Sequence, residues 1–590
     1  MKLWGMSALL LAAFALPVHA GDRIFASGFE VLPDNPADAA RFLTQATFGP
    51  TPADITHLMA IGYDAWFVEQ LGMPATLSEP TVEAVVNART GGGQGVNQTQ
   101  RLNRWWWQAT YAPDQLRQRM AYALSQIFVV SDQASAIGGD VVPMAYYQDL
   151  LADDAFGSYR ALLGDVTYNP TMGKYLNAFH NTKAKCKTVG GTTTCTTSPD
   201  ENYAREVMQL FSIGLVELDI QGNPLLSNGQ SIPTYLQPVI TSTAKVFTGF
   251  TYSDAPLGDP NNSYTGANFY GGGASFATQY APMACWGTEL FPYDNGNMRH
   301  DITGDDNTLG TPKTILGGVT LAPARDCVDD VKDTLDTIAA HANVAPFISR
   351  QLIQRFVTSN PSPAYVGRVA ARFQSSGGNL GQVLKTILMD PEARSAPDLG
   401  APAESDTYGK LREPILRVTA MWRAFNAQAP AADAYGEIAM TGGGLSRGNY
   451  GQAPLESPTV FNFFTPDYAQ PGVFADSDLA SPELQIVNES TLYTMTNSFY
   501  SLTHGAYVGM SSPPSDRPLI DLSPLTVGGL TSAQLVAKVN AAMLYGTMSA
   551  AMQNTLQNTL DFGLNGASAQ EKAWSLIYLT MLSPEYAAQR

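Results

Sequence analysis

Apolar residues recur three and four positions apart along most of this chain, the spacing of amphipathic helices. Ala40, Phe42, Leu43, Ala46 and Phe48 open the pattern soon after Ala37, and Gly49-Pro50 ends it. Pro52 and Asp54 start a second helix that carries Ile55, Leu58, Met59 and Ile61. Two more are predicted between Arg101 and Val130, the first around Trp105, Trp106 and Trp107 and the next around Leu116, Met120, Leu124 and Ile127. Another pair is predicted between Tyr146 and Leu176. The pattern resumes over 326–340, 345–358, 363–373, 380–389 and 410–426, then over 482–502, 531–545 and 569–582. Residues 254–311 and 427–476 are instead rich in Gly, Pro, Asn and Asp and read as irregular insertions. Loops of that length inside a compact chain are usually functional or disordered. The expected fold class is mainly α: a multi-helix globular protein with long Gly/Pro/Asn-rich loops and few short strands. A helical core region spans 37–426, interrupted at about 254–311. A loop-rich and helical C-terminal region, 427–590, packs on it.

The start of the chain has a different pattern. Residues 1–20 read MKLWGMSALLLAAFALPVHA, with Lys2 as a positive n-region and Leu9–Leu16 as an apolar stretch. Val18-His19-Ala20 fits a small-x-small cleavage site, so this is read as a signal peptide cleaved near Ala20. Residues 21–36 follow as a linker. The apolar run is shorter than the roughly 20 residues needed to span a bilayer, and Pro17 interrupts it, so no transmembrane anchor is expected after cleavage. The expected location is the periplasm or the extracellular medium.

Cysteine usage agrees with export. Cys186 and Cys195 flank the segment KTVGGTTT, which reads as a hairpin tip, and pairing them leaves Cys285 and Cys327 as a second disulfide. A zinc site is the rival reading, disfavoured because no C-x-x-C pair occurs and no His sits at ligand spacing beside the cysteines.

Composition narrows the function classes. Hydrophobic residues make up 45% of the 590 positions, too much apolar surface for a disordered chain. Lys and Arg number 34 against 52 Asp and Glu, a formal charge of −18, which disfavours nucleic acid as the main partner, and none is expected. No H-E-x-x-H, Walker or dinucleotide fingerprint occurs, and no cofactor is assigned.

Several stretches, taken in order, resemble one bacterial exported family, catalogued as domain of unknown function 1800. They are ARFLTQATFGPT (40–51), LLGDVTYNPTMGKYLN (162–177), PDENYAREVMQLFSIGL (199–215), AKVFTGF (244–250), RHD (299–301), KTILGG (313–318), HANVAPFISRQLIQRFV (341–357) and GKLREPILR (409–417). SPTVFNFFTPDY and SPELQIVNES add to the resemblance, which covers nearly everything after Ala37. It implies export and a helical fold and no established activity. Members often accompany an exported family resembling sulfatases, which makes a second exported protein a conceivable partner.

The PDENYARE segment offers the densest chemistry. At about 100° per residue, Tyr203, Val207, Leu210 and Phe211 share one arc, and Glu201, Asn202, Arg205, Glu206 and Gln209 share the other. The plain reading is a solvated helix face with an i,i+4 pair between Glu201 and Arg205. The functional reading takes Glu201 and Glu206, with His300 and Asp301 from the RHD loop, as a carboxylate/His acid–base set. Asn202, Arg205, Gln209, His180, Arg350, Lys410 and Arg412 are then candidate substrate-binding groups, the arginines for an anion. The alternative for the basic residues is salt bridging between helices. Asp294, Asp301, Asp305, Asp306 and Asn307 supply oxygen donors, but calcium-loop spacing is absent and no metal is assigned. The functional expectation is an envelope enzyme acting on an anionic polysaccharide or related polymer. The alternative is a non-catalytic binding or assembly protein that partners a second, sulfatase-like exported protein.

Overall fold

A computed structural model describes residues 31–190, 192–255, 269–285, 300–395 and 407–590. The signal-peptide reading and most of the linker, with Asp294 and Arg299, lie outside them. The protein is mainly α, as the periodicity predicts, with strands confined to short two-stranded pairs among the described residues.

Local chemistry sets the helix starts. The Asn35 side chain caps the helix Pro36–Ala46 by accepting from the N–H groups of Ala37 and Asp38, and Pro36 occupies the first turn. Thr51 and Asp54 form a capping box at Pro52–Gly72. That helix kinks at Gly62, whose φ is 80°. Trp105 and Trp106 on Gln98–Tyr111 enter the core, while Trp107 lies at its edge with Arg104 4.5 Å above its ring.

Several predicted elements are subdivided in the structure. The pair expected between Tyr146 and Leu176 is three helices, Val141–Asp153, Tyr159–Tyr168 and Pro170–Tyr175. The run 410–426 begins as a strand, Lys410–Leu411, and becomes helical only at Pro414–Ala424, because Pro414 favours the first turn and the residue before a proline resists helix. The run 531–545 is an α-helix, Ser532–Val539, that widens into a π-helical turn, Asn540–Leu544. Helices at Glu79–Gly91, Gln237–Val246 and Ala550–Asn558 lie outside the runs predicted from the pattern. Residues 427–476 are irregular apart from the short helices Arg447–Tyr450 and Val473–Asp476.

Two large apolar clusters account for most of the interior. The larger draws on helices from Pro36 to Arg394. The second gathers Phe48, Trp105, Trp106 and Tyr122 with Pro414–Ala424 and the C-terminal helices. A buried ionic network built on Lys410 and Glu413 joins elements that feed both clusters. Glu413 is 0% exposed, and its Oε2 accepts from Tyr122 Oη (2.7 Å), Gln126 Nε2 (2.7 Å) and Gln452 Nε2 (2.5 Å). Burial pushes its pKa up, but Lys410, Arg119 and Arg355 outweigh burial and hold it below the usual carboxylate range. Lys410 Nζ pairs with Glu483 at 2.9 Å and donates to the carbonyls of Gln354 and Arg355. Arg119 donates to the Arg355 carbonyl at 2.6 Å.

The backbone at this junction is equally constrained. Lys410–Leu411 pairs antiparallel with Ala588–Gln589, and Gln589 Nε2 donates to the carbonyls of Phe356 and Val357. Gly409 has φ 108°, and a Cβ there would stand 2.5 Å from the Gln589 carbonyl oxygen.

Two outcomes are expected. Glu413→Gln should lower stability by about 3–5 kcal/mol, the cost of leaving buried cations without their partner. Because the folded-state pKa of Glu413 lies below its unfolded value near 4.3, its contribution is present above that pH and lost as pH falls through the folded pKa. Urea unfolding followed by tryptophan fluorescence should therefore show a shallower acid loss in E413Q than in wild type. Gly409→Ala should lower the same midpoint, whereas an unchanged midpoint would contradict the close approach to Gln589.

Candidate functional site

A hollow lies where the first helix, the Lys410–Leu411 strand and the C-terminal segments meet. It has a volume of about 570 Å³, within the range of ligand pockets. The helix Pro36–Ala46 contributes Arg41 and Thr44, and the residue after the strand contributes Arg412. Tyr545, Thr547 and Ser549 come from the connection after the π-helical turn.

Arg412 dominates the electrostatics. It is 4% exposed, and its Nε and Nη1 have no hydrogen-bond partner. Its guanidinium lies 4.3 Å over the Tyr586 ring. Arg41 donates to the carbonyls of Arg394 (3.2 Å) and Ser395 (2.9 Å) and keeps an unpartnered Nε. Neither arginine pairs with a carboxylate among the described residues. Of the acidic residues in the wall, Glu585 accepts from Ser549 N (2.9 Å) and Oγ (2.5 Å), and Asp38 accepts from Asn35 Nδ2 (2.9 Å). Nearby Arg417 is pushed down to about 10, first by burial and then by Arg412, a measure of the positive charge gathered here. Tyr545 follows the π-helical turn with φ 56° and ψ 31°, a left-handed conformation costly for a bulky residue, and Thr44 Oγ1 donates to its hydroxyl at 3.3 Å. Such strain concentrates at functional sites.

The other predicted residues are distributed differently. Lys410 is buried in the ionic network, and Arg350 is exposed on its helix. Glu201 precedes a short helix, Asn202–Gln209, and accepts from Gln237 Nε2 (2.8 Å), Thr241 Oγ1 (2.8 Å) and Arg205 Nη2 (3.3 Å). These contacts tie the helix to Gln237–Val246. Asn202 is exposed and Gln209 half-buried. Glu206, expected on the solvated arc, is 6% exposed, because the helix packs along more of its circumference than its apolar stripe indicates. Burial raises its pKa, one carboxylate oxygen is unpartnered, and its charge helps push the hydroxyls of Tyr175 and Tyr235 up to about 12, after burial.

His300 and Asp301 sit in a separate polar knot. His300 is 0% exposed, its Nε2 3.1 Å from Asp330 Oδ2 and its Nδ1 3.4 Å from Thr248 Oγ1. Lys313 Nζ lies 2.6 Å from the same Asp330 oxygen. Burial, then Lys313, hold the imidazole below its ordinary pKa. Asp301 accepts from Thr303 N and Oγ1 and from Ala184 N. Asp305 and Asp306 likewise accept from backbone N–H groups of their own turn and its continuation, rather than converging on a cation. No hydrogen bond or ion pair joins Glu206 to His300 or Asp301 among the described residues. His180 sits at φ 61° against Phe179, its Nε2 3.2 Å from Thr251 Oγ1, pushed down to about 4 by burial and Lys174. His504, in the last turn of its helix, is pushed down to about 4 by burial and stacks 3.7 Å from Tyr500.

Both disulfides form. Cys186–Cys195 bridges directly paired positions of the hairpin Lys185–Val189/Thr192–Thr197, and Cys285–Cys327 ties the strand Ala284–Cys285 to the helix Cys327–Ala339. No helix of the described residues is long and apolar enough to cross a membrane.

Sequence reasoning singled out Arg412 and missed Arg41, Thr44 and Tyr545. Arg41 and Thr44 lie inside the ARFLTQATFGPT stretch, where a scarce arginine on an apolar helix was the available signal. Nothing in the sequence marks Tyr545, since the left-handed conformation arises from the turn it closes. No curated protein and no solved structure matches this chain. Residues 41–588 match the family described as protein of unknown function (DUF1800), in agreement with the ordered motifs. The chain belongs to the DUF1800 family.

Proposed function

We propose that this is an exported protein that binds an anionic group, a carboxylate, sulfate or phosphate carried by a polysaccharide or related polymer, in the cavity beside Arg412. The observation that carries the reading is the buried guanidinium of Arg412 with two unpartnered N–H-bearing nitrogens at the wall of a 570 Å³ hollow. A buried charged donor left without a partner is costly, and an anion that accepts from it removes that cost. Arg41 supplies a second cation, and the hydroxyls of Thr44, Thr547 and Ser549 suit sugar or phosphate oxygens. The volume suits one or two acidic sugar units. The chain is acidic overall at −18, which discourages anion binding away from this local positive field. Two disulfides and the reading of residues 1–20 support export to an oxidising compartment.

A binding role is favoured over acid–base catalysis by the placement of the expected catalytic set. Glu201 is engaged between two helices, and His300 is enclosed with Asp330 and Lys313. Glu206 supports a second reading. Its raised pKa and unpartnered oxygen suit a proton donor, with Tyr175 and Tyr235 near it.

Calorimetric titration with an oligogalacturonide, a sulfated oligosaccharide and inorganic phosphate should detect binding of at least one. Arg412→Met should weaken it roughly 10- to 100-fold, the worth of a hydrogen bond to a charged group, and Arg41→Met less. Equal affinity for a neutral oligosaccharide, or no effect of R412M, would remove the reading. Polysaccharide cleavage lost in Glu206→Gln with binding retained would establish the catalytic reading instead. The intact mass of the exported chain should correspond to a start at Gly21.

A further inference from the structure

We propose that Cys285, Cys327 and His300 form a redox-gated site for a thiophilic cation such as Zn²⁺ or Cu⁺, independent of the Arg412 cavity. Both sulfurs and a ring nitrogen of His300 lie within 4.8 Å of one another, and all three residues are buried. In a tetrahedral thiolate site with metal–sulfur bonds of about 2.3 Å, the sulfurs stand only ~3.8 Å apart, so a small separation of the released sulfurs suffices. The Cα atoms are already 6.3 Å apart.

The histidine is held as metal-binding histidines are. Its Nε2 faces Asp330 Oδ2 at 3.1 Å, and that carboxylate is fixed by Lys313 at 2.6 Å and by Arg325 at 3.6 Å. A carboxylate on one ring nitrogen orients the other toward a metal, so the ligand would be Nδ1, which would exchange its 3.4 Å contact with Thr248 Oγ1 for the cation. The Thr248 carbonyl stands beside the same spot, 3.4 Å from Cys285 Sγ and 3.9 Å from Cys327 Sγ. Two thiolates would also balance the charge of the cation beside Lys313.

The switch is a two-electron exchange. A dithiol reductant attacks the Cys285–Cys327 bond and closes its own disulfide, and the two electrons and two protons it gives up leave Cys285 and Cys327 as thiols. Cation binding then releases both thiol protons to solvent as two sulfur–metal bonds and one nitrogen–metal bond form. Loss of the cation and transfer of two electrons to a disulfide oxidant restore the bridge.

The test uses the full chain carrying C186S and C195S, which removes the hairpin thiols. It is reduced with a phosphine, freed of reductant without oxygen, and titrated with Co²⁺. The expected result is about one Co²⁺ per reduced chain with thiolate-to-cobalt charge-transfer bands and tetrahedral ligand-field bands, and none in the oxidised chain. His300→Ala, or His300→Gln if the alanine variant does not fold, should bind at least about tenfold more weakly, and so should Asp330→Asn. Absence of the charge-transfer bands in a folded reduced chain, or unchanged affinity in the His300 variant, would overturn the proposal. Loss of the near-ultraviolet circular dichroism on reduction alone would overturn it too, because the site requires a folded reduced state.

Discussion

The burial of Glu413 among Arg119, Arg355 and Lys410 is the constraint on which the rest of the structure depends. A carboxylate with no exposure is tolerable only when cations and donors surround it. Here they come from three distant parts of the chain: Arg119, Tyr122 and Gln126 from one helix and its end, Arg355 from a second helix, and Gln452 from the loop region. The two apolar clusters have no directional preference of their own. The ionic network between them fixes how their elements meet, because hydrogen bonds to a buried charge tolerate little displacement.

The same short segment shapes the candidate site. Gly409 permits the close strand pairing with Gln589, Lys410 and Glu413 enter the network, and Arg412 lines the cavity. One pentapeptide thus anchors the interior and presents an unpartnered guanidinium to a hollow. The opposite wall is built from a π-helical turn and a left-handed Tyr545, elements that cost conformational energy and that the surrounding packing must hold in place.

The PDENYARE and RHD motifs are joined less directly than their chemistry suggests. Asn181 accepts from Asp200 N and donates to the carbonyls of Asp200 and Phe247, while Thr248 contacts His300, Asp301 and the sulfurs of the second disulfide. Polar residues in these motifs therefore include many that fasten loops to helices. Their concentration in recognisable stretches reflects the backbone groups that irregular segments leave to be satisfied.

Helix content, most helix positions and the Cys186–Cys195 pairing follow from the sequence, because periodicity, caps and short-range cysteine spacing are local properties, and the Cys285–Cys327 pairing follows by elimination. The helix Gln237–Val246 and the π-helical turn after Val539 are missed by the periodicity, and tertiary packing stabilises both. Arg412 could be picked as an anion ligand from its residue type and its setting in a basic motif. The difference between Arg412, which faces a cavity, and Lys410, which is neutralised by Glu483, has no local cause. The same holds for His300, fifteen positions from Cys285 and twenty-seven from Cys327 along the chain, yet within 4.8 Å of both sulfurs. The chain's own order dictates which residues are charged and where helices run. Only the folded arrangement, by bringing distant charges into low-dielectric contact or leaving them without a partner, decides which of them neutralise one another and which are left to bind something else.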